Sequence, residues 1–250
     1  TVGRVLDMIE KRHLDVRDLS LLILDEADEM LSHGSSDKLK YMFQYYFPTT
    51  MQVALFSATM PTEIVRLSHN FMNDPVHILM EKEKLSLQCI QQYHVAVRDD
   101  YAKYQLLQDL FSVMNVSKCI IYCNSVRRVN DLYKSMMDDG HSVVAIHSNM
   151  NKGERGRIFK HFRTGDARFL ISSDVTARGI DIQQVSAVIN YDLTRNVHTY
   201  LHRIGRSGRW GRRGIAINFV TKYDVRDLRS IEDYYKIEIH ELPASFNGDV

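Results

Sequence analysis

The sequence has no long apolar run, no cysteine framework and no excess of one charge, and each absence removes a class of function. The longest apolar runs are about six residues, whereas a membrane-spanning helix needs roughly 20. Cys89, Cys119 and Cys123 are too few and too irregularly spaced for a disulfide framework or a zinc knuckle, which points to a reducing compartment. His94, His147 and His161 are scattered without metal-ligand spacing. With 32 basic and 31 acidic residues the net charge is +1, so no global field attracts nucleic acid. A nucleic-acid partner would have to be met by local patches. No segment is of low complexity. No secretory leader opens the chain at Thr1, and sequence upstream of it is expected to be missing.

What is present is an alternation. The chain has 250 residues, 44% hydrophobic and 25% charged, the composition of an ordinary soluble globular protein with one large or two modest domains. Short apolar runs at Leu21–Leu24, Val53–Phe56, Cys119–Tyr122, Val143–Ile146, Phe169–Ile171, Ala187–Ile189 and Ile215–Val220 read as strands buried on both faces. Between them, Val126–Met137, Lys152–Phe162, Val197–Ile204 and Val225–Tyr235 repeat apolar residues at helical steps. The expected fold class is therefore α/β with doubly wound parallel sheets. Asp74-Pro75, a short expected strand at Val76–Met80 and the charged Glu81-Lys82-Glu83-Lys84 mark a boundary. Residues 1–80 then form one unit, 81–92 a linker, 93–242 a second unit and 243–250 a frayed tail.

Four stretches carry chemistry. Leu21–Leu24 delivers Asp25-Glu26-Ala27-Asp28 at a strand end, where open α/β sheets bind ligands. An acid there can hold magnesium through water while its neighbour orients an attacking water; an acid-rich helix start is the alternative. Ser57-Ala58-Thr59 again follows a strand, and by itself reads first as a helix N-cap. Ser173–Asp181 follows Phe169–Ile171, with Gly179 and Asp181 placed to meet a ribose hydroxyl or simply to start a capped helix. His202, Arg206 and Arg209 stand at i, i+4 and i+7 and share one face if the helix continues that far. Five arginines and no acid lie between Arg203 and Arg213, flanked by glycines, which suits a polyphosphate better than a solvated loop.

Taken in order, these stretches resemble the motifs of the DEAD-box helicase family. Asp25–Asp28 is similar to its motif II, Ser57–Thr59 to motif III, Ser173–Asp181 to motif V and His202–Arg209 to motif VI; Thr1–Arg4 resembles motif Ib and Ile121–Ser125 motif IV. Within the family, Asp25–Ser32, Phe71–Leu79, Val188–Leu193 and Tyr200–Val220 resemble the translation initiation factor 4A group. The resemblance implies two RecA-like domains of the P-loop NTPase type that close on ATP and single-stranded RNA. It implies that Asp25 holds Mg2+ through water, that Glu26 activates the hydrolytic water, and that Asp28 couples through Ser57, Thr59 and His202. Gly179 and Asp181 would bind the nucleotide, with Arg206 and Arg209 as fingers to the γ-phosphate. RNA, read without sequence preference, would be touched by Thr1, Gly3, Arg4, Ser125, Arg155 and Ser173.

Departures from the family pattern include Val2 for a proline, Lys152 for a glutamine and Ser173 for a threonine. The larger one is an absence: no G-x-x-x-x-G-K-[ST] occurs, and no lysine follows a glycine. The chain is accordingly expected to be an N-terminally truncated fragment whose first domain is incomplete, with an unpaired sheet edge and exposed apolar surface. The implied activity is an ATP-dependent RNA helicase of the initiation factor 4A type. The alternative is an ATP-gated RNA clamp of the exon-junction type, with this fragment alone incompetent. Implied partners are RNA and scaffold or regulatory proteins of translation initiation or the exon junction, with no membrane and a monomeric state; the implied location is cytoplasmic, or alternatively nuclear.

Overall fold

Cys119–Tyr122, Phe169–Ser172 and Ala187–Asn190 have no alternating polar position, and every residue in them is buried. Such strands need cover on both faces, and that requirement organises the larger part of the molecule. The computed structural model describes residues 1–30, 35–60, 62–79, 89–114, 117–174, 185–208 and 213–246. It divides into two compact units, Thr1–Leu79 and Met80–Val250.

In the second unit, β3 (Ile90–Ala96), β4 (Cys119–Tyr122), β5 (Val143–Ile146), β6 (Phe169–Ser172), β7 (Ala187–Asn190), β8 (Gly214–Val220) and β9 (His240–Glu241) form one sheet. Its order is β5-β6-β4-β7-β8-β3-β9, and every pair is parallel. The register aligns Ile121 with Ile171 and Ile189, which pack on one face with Leu107, Leu110, Leu132 and Met136 from helices α5 (Asp100–Val113) and α6 (Val126–Asp138). Their neighbours Ile120, Leu170 and Val188 point the other way, toward Phe162 of α7 (Lys152–Thr164). Helices α8 (Val197–Ile204) and α9 (Val225–Tyr235) cover Ala216 and Val220 with Tyr200, Ile204, Leu228 and Ile231. The period-2 alternation of a strand thus sorts one apolar run into two cores, as the doubly wound expectation requires.

Side-chain caps fix where the helices start after the strands. Asp99 accepts the Ala102 N–H at 2.9 Å, Ser125 the Arg128 N–H at 3.2 Å, and Asn196 the amides of His198 and Thr199. Asn151 and Glu154 close a reciprocal capping box on α7. The tail expected from Pro243 is anchored in its described part: Phe246 packs against the first core, with its ring 6.0 Å from that of Tyr93.

The first unit contains α1 (Val2–Glu10), β1 (Leu21–Leu24), α2 (Ala27–Met30), α3 (Ser35–Tyr45), β2 (Gln52–Leu55) and α4 (Thr62–Phe71). Val2, Ile9, Leu24, Leu39, Met42 and Ile64 make its core. Among the described residues β1 pairs only with β2, in parallel, Leu21 opposite Gln52. Ile23 is 57% exposed and Ile78 90%. The strand expected at 76–80 does not form in its described part, because no neighbouring strand supplies a ladder for it.

Candidate active site

At the end of β1 the chain turns through a residue with positive φ. Glu26 sits at φ 51°, a left-handed conformation that a non-glycine residue adopts at a cost of about 1 kcal/mol or more. The turn bonds its first two residues to each other and the next two to the segment after β2. Asp25 is exposed, and one carboxylate oxygen accepts the Glu26 N–H at 2.9 Å. The Ala27 N–H donates to the Phe56 carbonyl at 3.1 Å, tying the turn to the end of β2. The Asp28 N–H donates to Ser57 Oγ at 3.3 Å, and Thr59 Oγ1 donates to Asp28 Oδ2 at 2.7 Å. Asp28 and Thr59 are both buried. The hydroxyls of Ser57-Ala58-Thr59 are therefore engaged with the carboxylate turn, in place of the N-cap role their sequence suggested first.

No group of three or more His, Cys, Asp or Glu side chains able to hold a metal occurs among the described residues. A single hard carboxylate such as Asp25 fits magnesium, which keeps most of its waters and takes one or two carboxylates plus phosphate oxygens. On α1, Arg4 pairs with Asp7 at 2.8 Å on the exposed face, while Thr1 accepts the Arg4 and Val5 amides through its carbonyl. A Cβ on Gly3 would lie 3.6 Å from Lys38 Nζ.

In the second unit α8 ends at Ile204, so Arg206 does not continue the helical face that carries His202. Gly205 is the C-cap with an ordinary φ of −65°, and Gly208 takes φ 68°, the left-handed region that favours glycine. A Cβ on Gly214 would sit 2.5 Å from the Gly208 nitrogen, so only glycine lets β8 approach this turn. His202 and Arg206 are both buried, and Arg206 Nε donates to the His202 carbonyl at 3.2 Å. Arg209, Gly179 and Asp181 lie outside the described residues.

Ser125, Arg155 and Ser173 come together at one edge of the sheet. Ser125 caps α6 just beyond β4, Arg155 is in the first turn of α7 beyond β5, and Ser173 follows β6, its N–H donating to the Ile146 carbonyl at 3.2 Å. These strands are adjacent, in the order β5-β6-β4. The Arg155 Nε atom is buried and has no protein hydrogen-bond partner.

Sequence reasoning missed the groups behind this edge. Asp192, two residues past β7, is buried, accepts from Lys103 Nζ at 3.0 Å and the Asn124 N–H at 3.1 Å, and forms an ion pair with Arg128, Nε 2.7 Å away. Arg128 also forks onto Asp100 at 2.8 and 2.9 Å, and this hydrogen-bonded guanidinium holds the Asp100 carboxyl below its usual range. Arg203, fully buried, was counted only as one arginine of a basic run. The signal used for Asp25, an acid just past an apolar strand, also stood at Asp192.

The DEAD/DEAH box helicase family model matches residues 1–67, the stretch holding the carboxylate turn and its hydroxyl partners. The Helicase conserved C-terminal domain model matches residues 102–211, which contain the polar edge of the second sheet. The chain belongs to the DEAD-box helicase family. It is 50% identical to the ATP-dependent RNA helicase eIF4A of Eremothecium gossypii over 98% of this chain and 62% of that protein. It is 47% identical to Eukaryotic initiation factor 4A of Caenorhabditis elegans over 98% of this chain and 61% of that one. The chain thus spans about three fifths of the length of these DEAD-box relatives. Among solved structures, S. cerevisiae Dbp5 bound to RNA and ADP BeF3 is similar at a TM-score of 0.91 and 32% identity, covering 98% of this chain and 65% of that one. The C-terminal domain of Dbp5 is similar at a TM-score of 0.59 and 36% identity, covering 64% of this chain and 94% of that one. The parallel-sheet α/β architecture is that of RecA-like DEAD-box structures, as the sequence led one to expect.

Proposed function

We propose that the protein carrying this chain is an ATP-dependent RNA helicase of the initiation factor 4A type, in which RNA-stimulated ATP hydrolysis drives local separation of RNA strands. The observation that carries this reading is the bonded set Asp28–Ser57–Thr59 behind the turn of exposed Asp25 and half-buried Glu26. The Ser57 and Thr59 contacts hold Asp28 in place, so the strained turn keeps Asp25 and Glu26 presented at the strand end. Bound ATP and Mg2+ would supply the phosphoryl group and its charge neutralisation. Asp25 would hold the metal, and Glu26 is placed to orient the attacking water and take its proton. Arg206 and Arg209 serve the γ-phosphate, His202 serves the coupling with Asp28, Ser57 and Thr59, and Gly179 and Asp181 serve the rest of the nucleotide.

On the RNA side, Thr1, Gly3 and Arg4 from one unit and Ser125, Arg155 and Ser173 from the other meet phosphates and 2′-hydroxyls. Such contacts make binding independent of sequence and sensitive to salt. The reading is supported by similarity to relatives named as ATP-dependent RNA helicases. A Dbp5 structure containing RNA and ADP BeF3 supports the ligand classes. Because these 250 residues contain no G-x-x-x-x-G-K-[ST], the main phosphate cradle is not among them.

The test is phosphate release and strand displacement by the natural protein with and without single-stranded RNA. RNA is expected to stimulate both, and Glu26→Gln to lower phosphate release about 10²- to 10⁴-fold. Stable ATP-dependent RNA retention with no strand displacement would overturn the helicase reading in favour of a clamp.

A further inference from the structure

Helix α7 (Lys152–Thr164) concentrates positive charge in a chain whose net charge is only +1. It carries Lys152, Arg155, Arg157, Lys160 and Arg163 against a single acid, Glu154. That acid is occupied in the capping box, where Glu154 Oε2 accepts the Asn151 N–H at 3.0 Å. Phe162 is fully buried and packs into the core with Ile158 and Phe159. Lys152, Arg157, Lys160 and Arg163 are exposed. At 3.6 residues per turn they fall within an arc of about 140° centred on the side away from Phe162, over a rise of about 16 Å. Among the described residues none of these four is paired with an acid; the ion pair on this helix joins His161 to Asp166 at 3.4 Å.

Such an arrangement costs stability. Arg157, Lys160 and Arg163 follow one another at i+3 spacing, where like charges repel, and Lys152 in the first turn opposes the helix dipole. Lys152 also stands where the family pattern has glutamine, so this charge is the chain's own. Gly156 lies on the same face. Glycine inside a helix is unfavourable, yet here φ is not positive and a Cβ would meet nothing within 4 Å. Neither backbone conformation nor packing within the protein calls for glycine at 156. A bare backbone beside unpaired cations suits the close approach of an anionic chain.

The position of the helix says which chain. Its first turn stands at the edge shared with Ser125 and Ser173, where Arg155 Nε is buried without a protein partner. Its last turn lies at the opposite edge, since Lys118, the residue before β4, donates to the Arg163 carbonyl at 2.8 Å. A basic stripe that starts at candidate RNA contacts and leads away from them extends the same track. A membrane-binding helix lays its apolar face into the lipid, but the apolar face of α7 is already committed to the core. A protein interface centres on apolar or aromatic anchors, and the exposed positions of this face hold none.

We propose that the α7 face formed by Lys152, Gly156, Arg157, Lys160 and Arg163 is a second RNA-binding surface, which holds the phosphodiester backbone of a strand running on from the Ser125–Arg155–Ser173 edge. This rests on the RNA-binding part of the helicase reading above.

The experiment measures the Kd of the natural protein, with a non-hydrolysable ATP analogue, for two single-stranded RNAs over a salt series. One is the shortest strand that binds; the other is extended until its affinity stops rising. The combined Arg157→Gln, Lys160→Gln and Arg163→Gln variant is expected to bind the extended strand about tenfold more weakly at low salt, and the shortest strand to lose about fivefold less. The slope of log Kd against log salt for the extended strand should fall by about 2, three phosphate contacts at about 0.7 each. Gly156→Ala should raise the melting temperature, because alanine favours the helix, and still weaken the extended strand about threefold; unchanged affinity overturns the close approach at Gly156. Equal losses for both strands, or none for either, overturn the second surface. Binding of phosphatidylserine vesicles that the triple variant loses, with RNA affinity unchanged, assigns the face to a membrane and overturns the RNA assignment. Wild-type protein that binds neither strand overturns the RNA-binding part of the helicase reading; wild type that gains nothing from extension overturns the α7 surface alone.

Discussion

Leu21-Leu22-Ile23-Leu24 in the first unit and Cys119-Ile120-Ile121-Tyr122 in the second are equally apolar parallel strands that each deliver polar residues at their C-terminal ends. In the second unit the strand has neighbours on both sides and helices on both faces, and all four residues are buried. In the first, among the described residues, only β2 flanks the strand, and Leu24 alone is buried. An apolar run therefore records what a strand is suited to bury, while its actual burial depends on which other segments are there to cover it. The polar sites respond differently. The Asp28–Thr59 bond needs only β1, β2 and the turns that follow them, and it forms even though the sheet around it has two strands.

The comparison can be broken first at the level of whole units. Amides of β4, β6 and β7 are expected to exchange only on global unfolding of the second unit, and those of β1 and β2 orders of magnitude faster through local opening. Limited proteolysis should leave a resistant piece from about residue 89 to beyond Leu242; equal trimming of both units would contradict it. A second, smaller contrast is residue by residue. Ile121→Ala removes a side chain with no exposure and should cost about 2–5 kcal/mol in the second unit's denaturant unfolding. Ile23→Ala, more than half exposed, should cost under about 1 kcal/mol.

The smallest effect is electrostatic and confined to the second unit. Beside Arg128, the folded Asp100 carboxyl gives up its proton more readily than in the unfolded chain. Its contribution is fully present above the unfolded value of about 4 and is lost as pH falls through the lowered folded value. Because Asp100 is two-thirds exposed, Asp100→Asn should change stability at neutral pH by under about 0.5 kcal/mol and flatten the acid limb slightly. An unchanged acid limb would show that the pair carries no linkage.

Much of this fold was legible in advance. The expected strand and helix spans agree with those observed to within a residue or two, because strands buried on both faces leave uninterrupted apolar runs and helices leave a 3.6-residue period. The strand expected at 76–80 does not form over 76–79, because Val76 and Ile78 have the composition of a strand but, among the described residues, no neighbour to pair with. The start of the tail expected from Pro243 departs in the other direction, since Phe246 finds a partner in Tyr93, far back in the chain. At the candidate site, residue type and position past a strand singled out Asp25, Ser57, Thr59 and Ser173. The helical spacing of His202 and Arg206 did not carry through, because α8 ends at Ile204 between them.

By itself, then, the sequence determined the alternation of elements, the doubly wound sheet of the second unit and the family, since each is written in local periodicity or contiguous motifs. Only the tertiary structure decided which apolar runs are covered and which groups Arg203 bonds. Its partners Asn124 and Asp174 lie 79 and 29 residues away in the chain. A buried guanidinium takes its role from the acceptors that converge on it, and those are brought together by strand order, which no local pattern encodes.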